Sequence, residues 1–167
     1  MIPDQATEPS AETAGQDDSG LIAYATLLAL HRIAVDPAQL RHSLGHDRGV
    51  DADDLKRIAK RQDDVRAKSV RSSYDKLRQT PLPALANGPS GWFIIARISD
   101  DEALIQPPCH SSEGVQPQIM KVDRAALEAM WSGELLLVTT REGIGNDWFI
   151  MHLLFKRPET GTFGFPF

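Results

Sequence analysis

At 167 residues the chain is long enough for one core and too short for two ordinary domains, and 41% hydrophobic with 25% charged residues is the composition of a globular protein. A net charge of −5, with no Lys/Arg block and no basic stripe interleaved with aromatics, excludes a nucleic-acid footprint. A single cysteine, Cys109, excludes an internal disulfide framework and a multi-thiolate zinc site, which fits a reducing compartment.

The first stretch, 1–16, is polar and acidic, with no basic region followed by an apolar run, so it is not a secretory signal. It buries too little apolar surface to offset the entropy of ordering and is expected to be a disordered leader. No stretch approaches the length of a membrane span, and the apolar run from Trp148 to Phe155 is far too short to cross a bilayer.

From Asp17 to Ile33 the chain enters a helix through acidic and small residues and then runs apolar on nearly every face, which is the pattern of a buried helix. Leu21, Ala25 and Leu28 form one line of it and Ile22, Ala29 and Ile33 the next. Asp36-Pro37 supplies an N-cap and a first-turn proline for a second helix with Leu40 and Leu44 inward and Gly45 just past its end. Asp51 opens a third, in which Leu55, Ile58 and Ala59 share a face while Lys56, Arg57, Lys60 and Arg61 stay in water. Those charges read as a solvated face, with contact to acidic repeats of a partner as the alternative.

Strands then replace helices. Val65 to Val70 alternates, and Pro81-Leu82-Pro83-Ala84-Leu85 can hold only an edge strand or the entry to a strand. Trp92 to Ile98 is a strand with Trp92, Ile94, Ala96 and Ile98 on one side and Phe93, Ile95 and Arg97 on the other. Ser99-Asp100-Asp101 turns it into Glu102 to Gln106, and Pro107-Pro108 ends the hairpin. Gln118 to Val122 is a further strand, Asp123 caps a helix through Leu127 and Met130, and Gly133 leads to a last strand, Glu134 to Thr139. Helices first and a sheet afterwards, interrupted by one helix, make an α+β arrangement of two lobes. Residues 141–167 lack alternation and carry six aromatics from Trp148 to Phe167, which reads as a partner surface.

The head of the first helix is where a papain-like cysteine protease places its thiol, because the positive end of the helix dipole favours a thiolate. Such a site also needs a His at the start of a strand and an Asp or Asn to orient it. Asp18-Ser19-Gly20, Gly91-Trp92-Phe93-Ile94-Ile95 and Ile105-Gln106-Pro107 occur in that order and on those elements. On these three motifs, the chain resembles the N-terminal peptidase C39-like domain of type I secretion ABC transporters, the exporters of RTX toxins such as hemolysins and adenylate cyclase toxin. The resemblance runs from Asp18 to about Phe155 and draws further support from Leu82-Pro83-Ala84-Leu85, from Leu127-Glu128-Ala129-Met130-Trp131-Ser132-Gly133-Glu134-Leu135-Leu136-Leu137 and from Asp147-Trp148-Phe149-Ile150. After Ile150 the chain departs from the family pattern, with Met151-His152 where a Pro-containing continuation is usual.

The resemblance implies a papain-like fold with an N-terminal helical lobe and a C-terminal antiparallel sheet lobe over 17–140, followed by a linker over 141–167 toward a membrane domain. It implies Ser19 at the Cys position, Trp92 at the His position and Gln106 at the Asp position, hence three vestigial positions and no enzyme activity. It further implies a substrate-recruiting domain at the cytoplasmic face of the bacterial inner membrane. Its partners would be unfolded RTX-type protein cargo and the membrane and nucleotide-binding domains of the same transporter. The chain itself has no Gly-x-x-x-x-Gly-Lys-Ser/Thr loop, and no cofactor is expected.

Single residues carry alternatives. Ser19 could be a nucleophile, but no base is assignable to it and Asp17 and Asp18 oppose an anion, so a helix N-cap is the better account. Trp92 could stack on a substrate or plug the old cleft. Cys109 beside His110 is adjacent in sequence only, and a free loop thiol is the plainer reading. His42 and His46 stand one helical turn apart but lack a third metal ligand, with Gly45 expected to end the helix between them. The rival functions are a divergent peptidase cleaving a leader peptide through Ser19 or Cys109, and a structural domain contacting only the transporter's own parts.

Overall fold

The computed structural model describes residues 18–110 and 118–140. The expected leader over 1–16 and the aromatic linker over 141–167 lie outside the described residues, as does the Asp147–Ile150 motif. Three helices come first: α1 (Ser19–Leu30), α2 (Pro37–Leu44) and α3 (Ala52–Lys60). Then follow β1 (Val65–Arg71), the short α4 (Tyr74–Leu77), β2 (Ala84–Gly88), β3 (Gly91–Ile98), β4 (Glu102–Gln106), β5 (Met120–Asp123), α5 (Arg124–Met130) and β6 (Glu134–Thr140).

Helix α1 is buried on almost all sides, as a helix without a polar face must be, with Leu21, Tyr24, Leu27 and Leu28 fully enclosed. Burial of each such leucine contributes about 1.5–3 kcal/mol. Ala29, expected on an inward line, is exposed, because it falls on a strip of α1 that no described residue covers. Ser19 is the first helical residue and not the N-cap; Asp18 holds that place, and its carboxylate makes no cap bond. The other caps follow the sequence: Asp36 accepts from Ala38 N, Asp51 and Asp54 form a reciprocal capping box, and Asp123 accepts from Ala126 N.

The described strands form one antiparallel sheet in the order β1-β6-β2-β3-β4-β5. One face carries α1, α2 and α3, with Leu85, Trp92, Ile94, Leu136 and Val138 in the shared core. The other carries α4 and α5 over Ala84, Ala86, Phe93, Ile95, Ile105 and Leu135. Neighbouring residues of β2, β3 and β6 therefore serve opposite cores, which is the period-2 signature of a sheet covered on both sides.

Two strand readings are decided by the sheet. Segment 81–85 is the strand entry and not an edge: its prolines sit before the ladder begins, and β2 starts at Ala84 and lies inside the sheet between β6 and β3. Ile98 does not share a face with Trp92 and Ile94, because the β3–β4 register slips between Ile95 and Arg97 and turns Ile98 toward the second core.

Candidate functional site

Ser19 and Trp92 meet where the start of α1 reaches β3, and Gln106 lies on the adjacent strand β4. The Ser19 hydroxyl, 1% exposed, accepts a hydrogen bond from the main-chain N–H of Trp92 at 3.0 Å, so it ties helix to strand. Gly91 makes that approach possible. It has φ +111, and a Cβ there would lie 2.5 Å from Ser19 Oγ.

Trp92 is 3% exposed. Its indole Nε1 donates to the carbonyl of Val50 at 2.9 Å, and its Cδ1 lies 2.9 Å from the place a Cβ on Gly20 would take. The ring thus fills the space between α1, the segment before α3 and β3. A polypeptide stacking on its face would have to meet the ring in another position.

Gln106 stands opposite Ile94 in the β3–β4 ladder, on the sheet face that Trp92 and Ile94 share. It is buried, and its Oε1 accepts no hydrogen bond among the described residues. An orphaned buried carbonyl costs about 1–3 kcal/mol. At the matching position an Asp would orient a His; here the strand carries Trp92, whose indole N–H goes to the Val50 carbonyl instead.

The segment that presents Val50 is fastened from both sides. Arg41 binds the Asp18 carboxylate at 2.6 and 3.0 Å and also donates to the carbonyls of Arg48 at 2.9 Å and His46 at 3.4 Å. Asp54, wholly buried, faces Arg48 at 3.1 Å, His46 Nε2 at 3.3 Å and Arg57 at 3.5 Å. Burial pulls the Asp51 carboxyl upward, but the backbone N–H of Asp54 and the Arg48 guanidinium outweigh it and hold the group below its ordinary value. Charge pairing at the head of α3 thereby fixes the carbonyl that locks Trp92.

One residue that sequence reasoning set aside belongs here. His110 Cε1 lies 3.6 Å from the Cβ position of Gly91, the same spot that is 2.5 Å from Ser19 Oγ. An imidazole therefore stands close to the Ser19 hydroxyl, brought there by the chain leaving β4. Its neighbour Cys109 is half-buried. The Pro107-Pro108 pair that marks the strand end was the available signal; the direction in which the chain leaves was not readable. Gly45 ends α2 with φ 72, and His46 beyond it faces Asp54. Among the described residues no group of three or more His, Cys, Asp or Glu is placed to hold a metal.

The model of the Peptidase C39 family matches residues 7–143. The cyclolysin secretion/processing ATP-binding protein CyaB of Bordetella pertussis is 34% identical over 135 residues, covering 78% of this chain and 18% of that protein. The toxin RTX-I translocation ATP-binding protein of Actinobacillus pleuropneumoniae is 32% identical over 130 residues, covering 77% and 18%. The chain thus spans about a fifth of the length of these relatives.

Among solved structures, a double glycine motif protease from an AMS/PCAT transporter, in complex with the leader peptide, superposes with a TM-score of 0.60 at 18% identity, covering 78% of this chain and 86% of that one. The peptidase domain of Streptococcus ComA gives 0.61 at 12% identity, covering 80% and 96%. The N-terminal peptidase C39 like domain of a toxin secretion ATP-binding protein from Vibrio parahaemolyticus gives 0.52 at 19%, covering 75% and 97%. At these identities the structures speak to the fold, which they share with the helices and antiparallel sheet described above. With its family model matched over most of its length, the chain belongs to the Peptidase C39 family.

Proposed function

We propose that this C39 domain binds polypeptide without cleaving it and serves as the cargo-recruiting domain of a type I secretion exporter. The observation that carries the reading is Trp92: a side chain unable to take a proton occupies the strand position of a general base and is locked over the head of α1 by its bond to Val50. Ser19 supports it, since its oxygen is engaged by the Trp92 main-chain N–H. The relatives named for secretion/processing of cyclolysin and for translocation of toxin RTX-I make an unfolded RTX-type protein the proposed cargo. Contacts of modest strength would raise the concentration of such a chain beside the translocation path.

In this reading the domain works at the cytoplasmic face of the inner membrane, and ATP hydrolysis belongs to nucleotide-binding parts outside the sequence. No helix among the described residues is long and apolar enough to cross a membrane. The test has two arms. Incubation with a double-glycine leader peptide is expected to give no cleavage, and amide-shift mapping is expected to respond to unfolded RTX polypeptide and not to its calcium-folded form. A domain that only contacts its own transporter would respond to neither form.

A second reading, a divergent peptidase, rests on His110 standing near Ser19. Cleavage of the leader peptide, lost in Ser19→Ala, His110→Ala or Cys109→Ala, would establish it and displace the first.

A further inference from the structure

We propose that the outer edge of β1, with the last turns of α3 beside it, is a docking edge for an acidic stretch of extended polypeptide. The stretch would join the sheet as an added strand. This inference rests on the recruiting function proposed above and names where, and by what chemistry, recruitment would occur.

Strand β1 ends the order of described strands, paired on one side with β6 along its whole length. Its seven residues, Val-Arg-Ala-Lys-Ser-Val-Arg, contain three basic side chains and no acidic one, in a chain of net charge −5. Many basic residues elsewhere are paired: Arg41 with Asp18, Arg48 with Asp51 and Asp54, Lys56 with Asp53, Arg78 with Asp100, Lys121 with Glu102 and Arg124 with Asp75 and Glu128, while Arg61, Lys76 and Arg97 stand apart from one another on other elements. Lys60, Arg66, Lys68 and Arg71 form no ion pair among the described residues, and all four are exposed. Glu134, opposite Arg71 in the ladder, is occupied by Ser69 and Asn87.

A groove between α3 and β1, lined by Lys56, Lys60, Asp63, Val65, Arg66 and Ala67, gives the edge depth as well as charge. Arg66 and Lys68 alternate with Ala67, so both lie on one face, at the spacing of every second side chain of an added strand. An extended partner supplies the backbone groups an open edge lacks, and acidic side chains on it would meet unpaired cations. The opposite edge, β5, has no such surplus, because Lys121 is paired with Glu102. Charged side chains also protect edges from any pairing, and that competing role predicts a different outcome.

The probes are short synthetic peptides alternating Thr with Glu, with Lys or with Gln, added to the whole chain while backbone amide shifts and hydrogen exchange are followed. The Glu peptide is expected to shift and protect amides of 65–71 at low salt and to be released by salt. In Arg66→Glu/Lys68→Glu its affinity is expected to fall about tenfold or more, while the Lys peptide gains a matching preference. Binding of no peptide, binding unchanged by the charge reversal, or shifts confined to β5 or to the Trp92 region would overturn the proposal. Unchanged unfolding midpoints verify that the variant is folded. If this variant still binds unfolded RTX polypeptide as the parent does, the docking edge falls and recruitment stands. If the Glu peptide binds β1 but RTX polypeptide binds nowhere, the edge stands and the recruiting function falls.

Discussion

At the level of single residues, the site is a set of mutually dependent fits. Gly20 and Trp92 are one such pair, since a methyl on Gly20 would press on an indole that its bond to Val50 prevents from moving. Gly20→Ala is therefore expected to lower stability by about 1–3 kcal/mol. Trp92→Ala, which opens a cavity, is expected to cost about 3–5 kcal/mol. In the double variant the Gly20→Ala penalty should vanish, and urea midpoints of the four proteins measure that coupling. Additive penalties would mean the two residues do not press on each other. Gln106 makes the opposite prediction. Because its Oε1 is buried without a donor, Gln106→Leu is expected to hold or raise the midpoint, by up to about 1 kcal/mol, where an ordinary buried hydrogen-bonding residue would lose stability. The identities at positions 19, 92 and 106 were legible from their motifs. Their contacts were not: whether Ser19 caps a helix or bridges to a strand depends on a partner 73 residues away.

Among the elements, α3 shows how local chemistry reaches the site. Its capping box pins Asp51, and the segment just before it carries the Val50 carbonyl that receives the Trp92 indole. Asp51→Ala is expected to cost about 1 kcal/mol and to loosen that segment. Asp51→Asn keeps the cap and separates out the charge. The folded state holds the Asp51 carboxyl below its ordinary value of 3.8, so ionised Asp51 adds stability above that pH and the contribution disappears as acid drives the pH down through the lower folded value. The Asn variant should accordingly show a shallower acid limb below about pH 4, read from urea midpoints across pH, and an unaltered limb would remove Asp51 from the account. The caps of α2, α3 and α5 were readable because each rests on residues three or fewer apart. The interior place of β2 and the turn of Ile98 to the second core were not. The first is decided by β6, about fifty residues further on, and the second by a register slip against β4 that no composition announces. Helix α4, four residues long, is too short to set up a periodic signal.

Taken as a whole, the molecule is two cores sharing one sheet, and β6 serves both: Leu136 and Val138 close the helical side and Leu135 the other. A chain ending after Ser132 is expected to lose cooperative unfolding and near-ultraviolet dichroism while keeping some helix signal, since β1 would lose its neighbour and both cores a wall. A sharp unfolding transition in that truncation would contradict this dependence. The same placement orders events at the ribosome. Helices α1 to α3 are synthesised first, yet the surface they close upon is finished by the last described strand, and β1 waits through more than sixty residues for its partner. The part of the helical core that Leu136 and Val138 close therefore stays open until β6 emerges, and in that window its apolar side chains would offer a binding surface to a chaperone.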